Sequence, residues 1–110
     1  MFVLSQSDAY KWPVTVSTPV DGGKFQNHTF TAVFKRLTQT RIQEIASAEG
    51  QTDKDIAREV VTGFEDINDA DGTAIPFTSS TLERLLDAPG VASAIVHAFM
   101  ASLTGAKRKN

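Results

Sequence analysis

Alternating apolar and polar residues predict strands in the first third of the chain. The alternation is clear from Lys11 to Val16 and returns in Phe30–Lys35, and a period of two is typical of strands with one buried face. Asp21-Gly22-Gly23 lies between these segments and has the residue types that tight turns require. We therefore predict an N-terminal antiparallel β-hairpin, whose inward face consists of Trp12, Val14, Val16, Phe30, Ala32 and Phe34. Because proline cannot donate to a ladder, Pro13 indicates that the first strand lies at a sheet edge or turns that face to solvent.

Helical spacing replaces this alternation after Thr38. A first helix is predicted from Thr38 to Glu49, where Gly50 is placed to end it. A second helix begins after the N-cap Thr52 and carries the clearest amphipathic stripe in the chain. That stripe consists of Ile56, Ala57, Val60, Val61 and Phe64.

A short second hairpin is predicted after this helix. Gly63 interrupts the helix near its end, and Asp71-Gly72 has the sequence of a tight turn. The turn would join one strand around Phe64–Ile67 to another around Ala74–Phe77.

Two C-terminal helices complete the prediction. Thr78, Ser79 and Ser80 are all candidate N-caps, and Ser80 with Glu83 fits a capping box for a helix that runs to Asp87. Pro89 suits the first turn of the last helix, which Gly105 would close. The predicted apolar sides consist of Leu82, Leu85 and Leu86 in the first of these helices, and of Ala92, Ile95, Val96, Phe99 and Leu103 in the last.

The composition agrees with an α+β fold in one domain. The chain has 110 residues, of which 41% are hydrophobic and 22% charged, which is enough apolar material for one core. We expect a single domain over residues 1–110, with a flexible N-terminus of about residues 1–9 and a basic C-terminal tail of about residues 105–110. Cysteine is absent, which excludes disulfides, thiolate metal sites and cysteine nucleophiles.

Neither a secretory leader nor a membrane span is expected. The first apolar run, Met1–Leu4, is too short for a signal-peptide core, and no stretch reaches the roughly 18 apolar residues of a transmembrane helix. We therefore expect a cytosolic protein.

The charges are few but unevenly distributed. The net charge of −2 gives no general argument for nucleic-acid binding. Residues 65–106 contain a single base, Arg84, and the acids Glu65, Asp66, Asp69, Asp71, Glu83 and Asp87. The tail Lys107-Arg108-Lys109 is too short and too poor in aromatic residues for a strong nucleic-acid site.

The segment Asp66–Gly72 resembles the start of an EF-hand calcium loop. With Gly72 at the sixth loop position, Ile67 falls at the first position and Thr78 at the twelfth. The first ligand and the bidentate glutamate are therefore both missing, and a solvated acidic turn is the better interpretation.

No catalytic constellation emerges from the remaining residues. Glu65 and Asp66 are neighbours that point to opposite faces of a strand, while the first-turn acids of the second helix are explained by the helix dipole. His28 and His97 have no partner at metal-ligand spacing, and no phosphate-loop or serine-nucleophile motif occurs. We expect a protein that is not an enzyme and binds no cofactor.

The order of the short motifs carries a family resemblance. The segments are Trp12-x-Val14-x-Val16-x-x-Pro19-x-x-Gly22, Phe30-x-x-x-Phe34-Lys35-Arg36-Leu37, Gly63-Phe64-x-x-Ile67-x-Asp69-x-Asp71-Gly72-x-x-Ile75-x-Phe77-Thr78, and Leu85-Leu86-Asp87-x-Pro89. Together they resemble the tail assembly chaperones of tailed bacteriophages and prophages. Phe64 stands where the resemblance leads us to expect tryptophan, a change that keeps an aromatic side chain.

The resemblance implies a non-enzymatic protein of the host bacterial cytoplasm that binds the tape-measure protein and helps to assemble tail-tube subunits around it. The residues we expect to contact a partner are Glu65, Asp66, Asp69, Asp71, Ile95, Phe99 and Leu103. Two alternatives remain open: a small structural tail or head-completion protein, and a small nucleic-acid-binding protein that uses the basic tail.

Overall fold

Residues 7–104 combine one antiparallel sheet with four helices, which is the α+β class predicted from the sequence. We describe the fold from a computed structural model that covers residues 7–104, so that the basic tail and most of the N-terminal segment predicted to be flexible lie outside the described residues. The elements are β1 (Ala9–Val20), β2 (Lys24–Lys35), α1 (Gln39–Ser47), α2 (Asp53–Val60), β3 (Val61–Glu65), α3 (Ser79–Leu86) and α4 (Val91–Thr104). The strand order in the sheet is β1-β2-β3.

The N-terminal hairpin is confirmed. β1 and β2 pair without interruption from Ala9 opposite Lys35 to Val20 opposite Lys24. The connecting Gly22 and Gly23 have φ values of 87° and 75°, a backbone region that favours glycine. β1 lies at the edge of the sheet, which is one of the two arrangements that Pro13 allowed.

The prediction that the second helix reaches Phe64 is wrong. α2 ends at Val60, and the next five residues form β3 beside β2, with Phe64 opposite Ala32. The register shifts between Val33 and Phe34, and this irregularity lets Val61 and Phe64 both face the core although they are three residues apart. The same spacing in a regular helix would also bury both residues, which is why the pattern imitated a helix.

The second hairpin is reduced to one bridge, between Asn68 and Ala74. No strand forms at residues 74–77, contrary to the prediction. Asp66 has a φ of 68° and turns the chain out of the sheet, and the following loop is closed by the amide of Ile75 donating to the carbonyl of Ile67 at 2.8 Å.

The capping of α3 and the start of α4 differ in part from the prediction. Thr78, one of the three N-cap candidates, is the N-cap of α3, but it forms its reciprocal capping box with Thr81, so the predicted box between Ser80 and Glu83 is wrong. α4 begins at Val91, after Gly90 with a φ of 82°, so Pro89 precedes the helix instead of lying in its first turn. The predicted Thr52 cap of α2 is confirmed.

The core lies between the helices and one face of the sheet. It contains six fully enclosed large side chains, which are Phe34, Phe99, Leu86, Ile95, Val14 and Val60. The rings of Phe34 and Phe99 meet edge to face with centroids 5.3 Å apart, which joins β2 to α4. A hydrogen bond of 2.7 Å between the hydroxyls of Tyr10 and Ser102 joins α4 to β1.

Within residues 7–104 we find no single helix that is long and apolar enough to cross a membrane. α3 and α4 pass the length and composition test only as a pair, and they are bent by 100° relative to each other.

Candidate functional site

The four predicted partner-binding acids lie in one surface segment, residues 65–73, which comprises the last residue of β3 and the loop that follows it and which we call the acidic loop. Glu65 ends β3 and its carboxylate lies 2.8 Å from the Nζ of Lys11, a contact that raises the pKa of the lysine. Asp66 accepts a hydrogen bond of 3.0 Å from the hydroxyl of Thr31. The loop is therefore fastened to β1 and β2 at its first two residues.

Asp69 organises the turn of the acidic loop. One oxygen of its carboxylate accepts from the amides of Asp71 at 2.9 Å and Thr73 at 3.0 Å. The amide of Gly72, which has a φ of 83°, donates to the carbonyl of Asp69 at 3.0 Å. Over residues 7–104 no three His, Asp or Glu side chains are grouped closely enough to hold a metal ion. The segment that resembles a calcium loop is a turn stabilised by its own aspartate.

An apolar groove lies between this loop and α3. Its lining combines apolar side chains with one hydroxyl and one guanidinium, and consists of Phe64, Ile67, Ile75, Thr81, Arg84 and Leu85. The cavity has a volume of about 200 Å³, which suits one or two side chains of a partner. Phe77 is 37% exposed and meets Phe64 edge to face with ring centroids 5.2 Å apart. We refer to the six lining residues together as the apolar groove.

Arg84 is the cation of the groove, and no side chain among residues 7–104 forms an ion pair with it. Its neighbour Glu83 instead accepts from the Nε of Arg58 at 2.6 Å, which lowers the pKa of Glu83. The other acid near the end of α3, Asp87, pairs with Lys54 at 3.0 Å. The guanidinium of Arg84 is therefore available to a partner.

The predicted residues of the last helix divide into two kinds. Ile95 and Phe99 are fully enclosed in the core, where Phe99 packs on Phe34. Leu103 is 39% exposed. Of these three residues, Leu103 is therefore the one whose side chain is exposed to solvent in the described part of the chain.

Sequence reasoning missed the groove residues Ile67, Ile75 and Arg84, and the exposed Phe77 that packs on Phe64 beside them. The two isoleucines were predicted to lie in the strands of a hairpin. In the structure they are held together by the backbone hydrogen bond from the amide of Ile75 to the carbonyl of Ile67. Arg84 was visible as the single base of an acidic segment, but that observation does not indicate what lies beside it.

Comparisons of the chain with protein-family models, with curated proteins and with solved structures found no match.

Proposed function

We propose that the chain is a tail assembly chaperone of a tailed bacteriophage or prophage. In this role it binds the tape-measure protein in the host bacterial cytoplasm, assists assembly of the tail tube and catalyses no reaction. The family resemblance of the ordered motifs is the origin of the proposal. One structural observation carries it further: an apolar groove with an exposed aromatic side chain opens beside the acidic loop.

The groove suits an aggregation-prone client. Such a protein exposes apolar side chains, and binding proteins bury them in concave apolar sites bordered by a few polar groups. Phe77 and Leu85 supply apolar contact area, whereas Arg84 and the acidic loop supply polar groups at the border. Exposed aromatic side chains that become buried on binding are typical of the residues that dominate binding energy at interfaces.

Several motif residues of the resemblance occupy positions that shape this groove. Phe64 is one of its lining residues, and Gly72 provides the left-handed turn of the acidic loop. Thr78 starts α3, which forms the opposite wall. A family that preserves these residues would preserve the groove.

Co-expression with the tape-measure protein of the same phage or prophage tests the proposal. We expect the chain to raise the soluble fraction of that protein and to be recovered with it on affinity purification. A Phe77→Ala variant should recover several-fold less tape-measure protein, because it removes an exposed aromatic side chain at the groove. Val20→Ala is the matched control, since Val20 is 44% exposed at the far end of the hairpin.

Unchanged solubility of the tape-measure protein together with no recovered complex would show that the proposal is wrong. Recovery of the chain from purified virions would favour the structural-protein alternative, since a chaperone leaves the particle before completion. Equal binding by both variants would place the contact outside the groove while leaving the chaperone role intact.

A further inference from the structure

The described chain supplies no counter-charge to the one base of the apolar groove. Arg84 lies in the last turn of α3 and is exposed. Its guanidinium forms no hydrogen bond, ion pair or ring contact with any atom of residues 7–104. It is also the single base among residues 65–106, which contain six acids. The composition of this segment favours an internal ion pair at Arg84, and the fold does not form one.

The two acids nearest to Arg84 along α3 bind other bases. Asp87 lies three residues further on, a spacing at which opposite charges on a helix meet, yet its carboxylate accepts from Lys54 at 3.0 Å. Glu83 accepts from Nε of Arg58 at 2.6 Å and from Nη2 at 3.1 Å. Both carboxylates are therefore engaged with α2.

The acids of the acidic loop do not neutralise this cation either. The carboxylate of Glu65 meets Lys11 of β1. That of Asp66 accepts from Thr31 of β2. Asp69 uses its carboxylate for two amides of its own loop. The groove therefore combines an apolar lining with one uncompensated positive charge.

We propose that the apolar groove binds a polypeptide segment in which a large apolar side chain fills the groove and a neighbouring aspartate or glutamate pairs with Arg84. A guanidinium matches a carboxylate with two parallel hydrogen bonds, and such pairs are stronger beside apolar surface than in water. The two side chains would lie within about four residues of each other, because that spacing places them on one face of a helix or a strand. The inference rests on the proposed function, since it names the chemistry of the client segment that the groove accepts.

The other polar group of the groove explains why the acid must come with an apolar side chain. The hydroxyl of Thr81 already donates to the carbonyl of Pro76 at 2.8 Å and accepts from the amide of Thr78 at 2.8 Å. Arg84 is thus the one lining side chain with free donors, and the rest of the lining offers apolar contact. A small anion would leave that apolar surface exposed, and a nucleic acid needs several bases to hold its phosphates. A segment that is apolar and acidic satisfies both parts.

Selection from a displayed library of random peptides, with the full chain as bait, tests the proposal. Wild type should enrich peptides that carry aspartate or glutamate close to a leucine, isoleucine, methionine or phenylalanine. Arg84→Glu should instead enrich lysine or arginine at the acid's position, because the charge of the groove is reversed. Lys24→Glu is the matched control: it changes the net charge equally at the exposed hairpin turn, and its selected peptides should resemble those of wild type.

Fluorescence anisotropy of one labelled wild-type-selected peptide measures the size of the effect. Its dissociation constant should rise about tenfold or more for Arg84→Glu and change less than about twofold for Lys24→Glu. A peptide with its acid replaced by lysine should regain affinity for Arg84→Glu. Arg84→Gln removes the charge without adding an acid to α3, so it should weaken binding of the original peptide even if Arg84→Glu unfolds the helix. Circular dichroism verifies that each variant is folded.

Several outcomes would overturn the inference. These are apolar peptides enriched without any acid, the same peptides enriched by wild type and a folded Arg84→Gln variant, or no enrichment at all. Self-association of the chain that Arg84→Gln abolishes would identify a second copy as the occupant and overturn it as well. If one of these results accompanies a soluble tape-measure complex, the chaperone role stands and the carboxylate pairing alone is wrong. Selection of the expected peptides by a chain that leaves the tape-measure protein insoluble would instead support the groove chemistry and contradict the chaperone role.

Discussion

Arg41 and Glu59 form a two-pronged ion pair that joins α1 to α2. The guanidinium of Arg41 donates from Nε to one carboxylate oxygen of Glu59 at 2.7 Å and from Nη2 to the other at 2.6 Å. The side chain of Glu59 is 24% exposed, which makes it the least exposed acid among the ion pairs of residues 7–104. Bidentate pairs in partly enclosed positions are stronger than ordinary surface ion pairs.

We expect Glu59→Gln to lower the free energy of unfolding by about 1 kcal/mol, because one of two charge-assisted hydrogen bonds is lost and the other is weakened. Urea denaturation at neutral pH measures the change. Glu44→Gln is the control, since Glu44 meets the same arginine through one hydrogen bond of 3.1 Å and is 58% exposed. Equal losses in the two variants would contradict the special strength assigned to the Glu59 pair.

The ion pair between Arg41 and Glu59 also predicts the direction in which the free energy of unfolding changes with pH. The hydrogen bonds from Arg41 hold the pKa of Glu59 below its usual value, so the unfolded chain binds a proton more readily than the folded one. The stabilisation is therefore complete above the unfolded pKa of about 4.3 and is lost as the pH falls through the lower folded value. The stability difference between wild type and Glu59→Gln should be present at pH 6 and should shrink towards pH 3. A difference that grows on acidification would refute this linkage.

The N-terminal hairpin and the presence of the helices were predictable because each has a periodic pattern, whereas the end of α2 and the start of α4 were not. An alternation of apolar and polar residues was enough to predict the strand that contains Trp12, Val14 and Val16. The N-cap of α2 involves only the neighbouring residues Thr52 and Asp55, so the local sequence was enough to predict it. β3 was not predictable, because the irregularity opposite Val33 and Phe34 gives a strand the spacing of a helix. That irregularity depends on a partner strand far away in sequence, which no local pattern contains.

The candidate site was only partly predictable for the same reason. The acidic loop follows from a local run of acids and glycine, and its residues were named correctly as neighbours. The groove beside it forms only when Ile67 and Ile75 close the loop against Leu85 of α3. Burial likewise depends on the whole fold: Phe99 and Leu103 lie one turn apart on the same predicted stripe, yet only Phe99 is enclosed.

The start of α3 gives a prediction that distinguishes the observed capping box, Thr78 with Thr81, from the box of Ser80 with Glu83 predicted from the sequence. The hydroxyl of Thr78 accepts from the amide of Thr81 at 3.0 Å, and the hydroxyl of Thr81 accepts from the amide of Thr78 at 2.8 Å. Thr78→Ala should therefore lower the free energy of unfolding by about 1 kcal/mol, because a backbone donor loses its acceptor. Ser80→Ala should leave it unchanged within about 0.5 kcal/mol, since Ser80 is exposed and lies inside the helix. A larger loss in Ser80→Ala would support the capping box predicted from the sequence over the one observed.

Phe99 and Leu103 allow core packing to be separated from partner binding on one helix. Phe99 is fully enclosed and packs edge to face on Phe34, so Phe99→Ala should lower the free energy of unfolding by about 3–5 kcal/mol. Leu103 is 39% exposed, so Leu103→Ala should cost about 0.5 kcal/mol or less. Chemical denaturation measures both losses, and capture of the tape-measure protein by the folded fraction measures binding. If Leu103 contacts that partner, Leu103→Ala reduces capture without a matching loss of stability, whereas Phe99→Ala reduces capture only in proportion to the chain that has unfolded. A Phe99→Ala variant that stays fully folded but fails to bind would instead assign Phe99 to the partner surface and contradict its place in the core.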